Sequence, residues 1–229
     1  MSEVTTDIQD GVIIVTLNRP EAKNAMNKAA AEGIRAAMQQ LDDDNSLNAG
    51  IITGAGGTFC SGMDLKGFLK GESPMVDGYG FGGICQKGPE KPLIAAIEGY
   101  ALAGGMELAI ACDLRVANDK AQFGIPEVKR SLVAAAGGLL HLSSIVGKGV
   151  AMELALTGDF IDAQRAYEVG FVNRRDYRHV NARVLRHIRT ESVPWFREFR
   201  PHASASSAAT FFVWCRPHTI RYALPSGPA

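Results

Sequence analysis

Two glutamates carry the first chemical reading of this sequence. Glu107 is the one charge in the apolar run Met106–Cys112, directly after the paired glycines Gly104 and Gly105. A carboxylate in an apolar helix is costly unless it is hydrogen-bonded, paired or shifted in pKa. The amides of Gly104 and Gly105 fall where a helix leaves its first N–H groups unsatisfied and its dipole favours a developing negative charge. Glu127 follows Pro126, which fixes the entry to another helical turn. If the two carboxylates converge, one can activate a water while the other delivers a proton to carbon, and their repulsion separates their pKa values. Spacing alone leaves plainer readings open: Glu107 as a structural buried carboxylate, Glu127 as a solvated first-turn acid.

The elements that must position these residues read as alternating strands and helices. Gly11–Leu17 is a β-branched strand run, and residues 28–41 place Ile34, Met38 and Leu41 on one helical stripe. Gly50–Thr53 is a second strand, so the unit is βαβ with a right-handed crossover. Residues 62–65 read as a turn into a short helix with Asp64 near its start, and the glycine-rich stretch 71–88 as a mobile loop. Leu93–Ile97 is a strand that turns at Gly99 and leads to the Glu107 helix. Leu114–Ala117 is a further strand. Ala134–Leu142, Gly149–Leu156 and Asp162–Glu168 read as helices, and Phe171–Val172 as a strand stub. The alternation predicts an α/β layered fold without internal repeats.

With 229 residues and 46% apolar content, the chain can bury a substantial core as one domain. Net charge is zero, which gives no footprint for nucleic acid or membrane. No h-region and no run of 18 apolar residues is present, so the expectation is a cytoplasmic protein without a secretory signal. Cys60, Cys85, Cys112 and Cys215 lack metal-ligand spacing and read as reduced thiols, and no metal site is expected. The neutral total hides an asymmetry: residues 1–173 hold 14 basic and 21 acidic residues, residues 174–229 hold 10 arginines, no lysine and 3 acids. That break predicts a boundary at 173/174, with an Arg-rich tail beyond it.

Several stretches together resemble the crotonase (enoyl-CoA hydratase/isomerase) superfamily. They are NRPEAKNAMN (18–27), GTFCSGMDLK (57–66), KPLIAAIEGYALAGGMELAIACD (91–113), FGIPEV (123–128) and LTGDFIDAQRAYEVGFVNR (156–174). The resemblance implies a ClpP/crotonase-like spiral of ββα turns over residues 1–173 and an acyl-CoA substrate. It implies an oxyanion hole from the backbone N–H groups of Met63 and Gly104, with Glu107 and Glu127 as the catalytic pair. Substrate and CoA contacts would involve Ala25, Ser61, Gly62, Asp64, Leu65, Lys66 and Gly105. The implied reaction is hydration of a trans-2-enoyl-CoA, since many relatives keep only one of the two glutamates. A carnitinyl-CoA dehydratase keeps both and stays open, as do an isomerase, a hydrolase or a non-catalytic core. No cofactor is implied, because coenzyme A is part of the substrate, and the expected assembly is a homotrimer or dimer of trimers. Two departures stand out: Met63 replaces a common Ala, and Ala134 replaces a common Pro. Residues 174–229 depart altogether, and match out-of-frame translation better than the helices that cover the site and build the trimer in relatives.

Overall fold

β-branched runs and one strongly amphipathic helix build the first unit of the chain. A computed structural model describes residues 2–176. It opens with an antiparallel hairpin, β1 (Val4–Gln9) and β2 (Val12–Leu17), turned through Asp10 and Gly11 at positive φ. Only β2 is legible as an apolar run; β1 reads VTTDIQ and leaves its middle residues exposed. Helix α1 (Lys28–Asp43) starts at Asn27, whose side-chain oxygen accepts the Ala30 N–H at 2.9 Å. It buries Ala30, Ala31, Ile34, Ala37, Met38 and Leu41 along one face. Each fully buried Ile, Met or Leu contributes about 1.5–3 kcal/mol. β3 (Ala49–Gly54) then runs parallel to β2, as expected of a βαβ unit.

The single-turn α2 (Leu65–Phe68) is capped by Asp64. A small hairpin follows, β4 (Met75–Val76) with β5 (Gly80–Phe81). The segment expected as a loop therefore contains an ordered element, and Phe81, Ile84 and Cys85 from it are buried in the core. Two-residue strands are too short to show a period, so the sequence pattern could not reveal them. Next come β6 (Leu93–Ile97), β7 (Tyr100–Leu102), α3 (Gly104–Ile110), β8 (Leu114–Asn118) and β9 (Gln122–Gly124). After a 3-10 turn at Pro126–Arg130, the chain adds α4 (Gly138–Val146), α5 (Lys148–Thr157), β10 (Ile161–Asp162), α6 (Ala163–Glu168) and β11 (Arg174–Asp176). Phe171 and Val172 are buried just ahead of β11 and are not themselves strand.

The main sheet has the order β1-β2-β3-β6-β8-β11, parallel throughout after the first hairpin. Both of its faces are apolar. Ile13, Val15, Ile52 and Ala95 join the large core, while Val12, Ile51, Ile94 and Ala96 form a second cluster. In a smaller sheet, β10-β9-β7, β7 leads into α3 and β9 into the 3-10 turn, and their parallel pairing carries both toward one place. Cys60, Cys85 and Cys112 are buried and form no disulfide among the described residues. Cys215 and the tail from residue 177 onward lie outside the described residues.

One buried cation ties the sheet to the helix that bears Glu107. Arg115 donates from its guanidinium to the carbonyls of Phe171 (2.6 Å), Cys112 (2.9 Å) and Ala109 (3.3 Å). Its guanidinium also lies 5.3 Å from the centre of the Phe171 ring, which meets Phe123 edge-on. Replacing Arg115 by Met leaves these carbonyls without their donor, at about 3 kcal/mol. The expected readout is a lower urea midpoint with an unchanged m-value.

Candidate active site

Helix α3 begins on a strained turn without a side-chain cap. Its N-cap, Ala103, has φ 51° and ψ −127°, a sparsely populated conformation for alanine that costs on the order of 1–3 kcal/mol. The Ala103 N–H is held by the Gly124 carbonyl at 2.9 Å, so β9 fixes the turn. Only glycine fits the next two positions. A Cβ on Gly104 would stand 2.4 Å from the Phe81 ring, and one on Gly105 would stand 2.1 Å from the Cys60 carbonyl oxygen.

Met63 reaches the same place from another segment. The Met26 N–H donates to the Gly62 carbonyl at 2.7 Å, and the Asp64 N–H donates to the Met26 carbonyl at 2.9 Å. These two bonds straddle Met63 and leave its own N–H pointing away from Met26. Gly62 has φ 107°, and a Cβ there would lie 2.9 Å from the Ala103 Cβ and 3.5 Å from the Gly104 nitrogen. The Met63 and Gly104 turns therefore adjoin. Among the described residues neither the Met63 N–H nor the Gly104 N–H has an acceptor. Free backbone donors on neighbouring turns are suited to an oxyanion.

Glu107 lies in the first turn of α3 and is 4% exposed. Its Oε1 accepts the N–H groups of Ala136 (2.8 Å) and Gly138 (2.9 Å). Both bonds fall on one oxygen, so the other is left for a different partner. Burial pushes the carboxyl up, partly offset by these two amides. The same bonds explain why α4 starts at Gly138 and not at the predicted Ala134. The Ala136 and Gly138 amides are committed to Glu107, and Gly137 between them has φ 112°.

Glu127 sits in the 3-10 turn behind Pro126, and its Oε2 is buried without a hydrogen-bond partner among the described residues. Burial pushes its carboxyl up to about 7, and the nearby Glu107 charge pushes in the same direction. The structure thus brings the two glutamates into electrostatic contact, as their chemistry requires. A carboxyl that titrates near neutrality can both give and take a proton at working pH.

The other predicted positions divide. Gly62 and Gly105 are buried at the two turns, and Ser61 is half-buried with its N–H on the Lys23 carbonyl at 3.1 Å. Ala25 is half-buried. Leu65 and Lys66 are exposed on α2, directly after the Met63 turn. Asp64 accepts the N–H groups of Lys66 and Gly67, both at 3.1 Å, and the Arg19 guanidinium at 2.9 Å. Burial alone would raise its pKa, but these bonds hold it below the usual carboxylate range. No cluster of three or more metal-ligating side chains is found among the described residues, nor a helix long and apolar enough to cross a membrane.

This arrangement agrees with what the chain is similar to. Residues 7–189 match the enoyl-CoA hydratase/isomerase family model. The chain belongs to the enoyl-CoA hydratase/isomerase family. It is 52% identical to an enoyl-CoA hydratase from Mycobacterium tuberculosis of known structure, with a TM-score of 0.78 over 81% of this chain and 74% of that one. It is 40% identical to a carnitinyl-CoA dehydratase from Mycobacterium avium, again with a TM-score of 0.78, over 81% and 75% of the two chains. A curated relative, the mevalonyl-coenzyme A hydratase of Aspergillus fumigatus, is 38% identical over 71% of this chain and 62% of its own length. The chain spans 62–65% of the length of the first curated relatives it matches. With these crotonase-fold structures as neighbours, the α/β core is the crotonase fold.

Two residues of this family member escaped sequence reasoning. Asn24 is 1% exposed; its Oδ1 accepts the Arg19 N–H, and its Nδ2 donates to the carbonyls of Ala55 and Thr58. Arg19 pairs with Asp64 and Glu3. Both lie in the quoted stretch 18–27, where a polar residue gives no local sign of being buried.

The Glu127 shift has a sign that can be measured. A carboxyl with an ordinary pKa of 4.5 unfolded and about 7 folded binds more protons in the native state between those values. Its contribution is fully present below the lower value and is lost as pH rises through the upper one. Glu127→Gln removes that dependence. The melting temperature of the wild type, relative to Glu127→Gln, should therefore fall between pH 5 and pH 8 in a thermal-shift series.

Proposed function

We propose that this protein is an enoyl-CoA hydratase that adds water across the 2,3 double bond of a trans-2-enoyl-CoA in acyl-CoA breakdown. The observation that carries the reading is a pair of interacting glutamates, Glu107 buried and Glu127 half-buried with its Oε2 enclosed, beside two free amides on adjoining turns. The thioester oxygen would accept from the Met63 and Gly104 N–H groups, and the enolate that forms there draws most on such donors. Water held by Glu107 and Glu127 bonds through oxygen to the β-carbon as the double-bond electrons move toward the thioester oxygen. Protonated Glu127 then supplies the α-carbon proton, and the proton lost by water returns to the carboxylate pair. The pair ends with the proton count it began with. The resident chemistry asks for no redox group or metal, because the thioester already acidifies the α-carbon.

The CoA moiety would run past Ala25, Ser61, Asp64, Leu65 and Lys66. Exposed Leu132, Val133, Leu139 and Leu140 line one stretch of the chain around the start of α4, which supports burial in a homotrimer or dimer of trimers. A cytoplasmic setting accords with the three buried cysteines that form no disulfide among the described residues. A second reading, dehydration of carnitinyl-CoA, is favoured by the likeness to the Mycobacterium avium dehydratase. Both reactions use the same two carboxylates.

Loss of enoyl absorbance with crotonyl-CoA, beside turnover of carnitinyl-CoA, decides between them. Wild type should hydrate crotonyl-CoA, and Glu107→Gln and Glu127→Gln should each lower kcat by about 10²–10⁴-fold with CoA binding retained. Turnover of carnitinyl-CoA alone favours the second reading. A folded wild type that turns over neither overturns both.

A further inference from the structure

The Met26–Met63 pairing is an isolated β-bridge, held by two backbone hydrogen bonds and extended by no strand on either side. Two such bonds are a weak constraint on a peptide group that must present its N–H in one direction. A side chain lies across the same gap. The Arg19 guanidinium is largely buried, with 14% of its side chain exposed. It donates through Nη1 to the Ala25 carbonyl and through Nη2 to Asp64 Oδ2 at 2.9 Å. Ala25 and Asp64 are the chain neighbours of Met26 and Met63. The guanidinium therefore spans the two segments one residue away from the bridge.

The two oxygens of Asp64 divide the work: Oδ2 takes Arg19, while Oδ1 caps α2 through the Lys66 and Gly67 N–H groups. Arg19 is itself hydrogen-bonded at its backbone and ion-paired, outside hydrogen-bond geometry, at Nε. Its backbone N–H is held by buried Asn24, and its Nε lies 2.6 Å from Glu3 Oε2. We infer that Arg19 is a positioning residue for the oxyanion donor: its guanidinium forms a charged rung, from the Ala25 carbonyl to the Asp64 carboxylate, that fixes the direction of the Met63 N–H. The inference rests on Met63 serving as that donor. A lysine cannot replace the rung, since one ammonium lacks the planar fork that reaches both oxygens. A misplacement of about 1 Å in such a group can cost about 10²-fold in rate.

The test uses the full chain and the non-reacting thioester butyryl-CoA, labelled with carbon-13 at the carbonyl. Difference infrared spectra report hydrogen bonding to that carbonyl as a shift to lower frequency. Wild type and Glu127→Gln should both show the shift, although only wild type hydrates crotonyl-CoA. Arg19→Lys should lose most of the shift and about 10-fold or more in kcat, with the Kd for butyryl-CoA changed less than threefold. Asp64→Asn keeps an oxygen for the α2 cap but removes the anion, and should lose part of the shift and at least threefold in kcat. That second variant decides the matter if Arg19→Lys does not fold. An undiminished shift in folded Arg19→Lys, or in Asp64→Asn, overturns the inference while leaving the hydratase reading intact. A wild type that hydrates but gives no shift overturns it as well. A wild type that binds butyryl-CoA without a shift and does not hydrate removes the underlying reading itself.

Discussion

Burial of the Glu107 carboxylate is the constraint to which the surrounding structure answers. At 4% exposure, a charged or chargeable group needs donors of its own, and the backbone supplies them by interrupting a helix. Ala136 and Gly138 turn their amides onto Oε1. Gly137 takes the left-handed conformation that lets both do so, and α4 starts afterwards. A Cβ on Gly138 would approach Glu107 Oε1 to 3.0 Å, so the carboxylate also restricts which residue stands there. Burial of the neighbouring Glu127 carboxyl, with a smaller push from the Glu107 charge, moves its titration toward neutrality. One desolvated oxygen pair thus links α3, the start of α4 and the turn after Pro126.

The oxyanion side depends on a different device. Ala103 accepts backbone strain, Gly62 accepts a positive φ, and Gly104 accepts the tip of the Phe81 ring. In each case a methyl or ring occupies the room that a neighbour's missing side chain leaves. These contacts come from three separate stretches of chain, which is why the turns can adjoin without any regular sheet between them. The strain stored at Ala103 sits beside the donor, where pre-organisation is most useful.

Much of this was legible in the sequence, and what was not has physical reasons. α1 was readable because its apolar residues recur with the helical period, and β2, β3, β6 and α3 because they are short apolar runs bounded by turn residues. β1 escaped because its exposed face is polar, and the β4–β5 hairpin because two-residue strands have no period. The predicted helix at Ala134 starts four residues late for a tertiary reason: the alanines at 134–136 favour helix, but a carboxylate 29 to 31 residues away claims the Ala136 and Gly138 amides. The glutamates and the Met63–Gly104 turns were recognisable as motifs, since glycines and one stranded charge are local signals. Arg19 and Asn24 were not, because burial of a polar side chain in a loop depends on what the rest of the fold lays over it.

The separation of these partners along the chain has a kinetic consequence. Glu107 meets its amides across 29 and 31 residues, Arg19 meets Asp64 across 45, and Asn173 meets Arg115 across 58. The β1–β2 hairpin and α1, by contrast, close on themselves. Loop-closure entropy delays distant contacts relative to local ones, so the hairpin and helix form early and the Glu107, Arg19 and Arg115 pairings follow them. Until Glu107 finds its donors, α3 carries an ionised side chain into an apolar interior. The helix that bears Glu107 is therefore completed only when the segment around Ala136 and Gly138 closes over it.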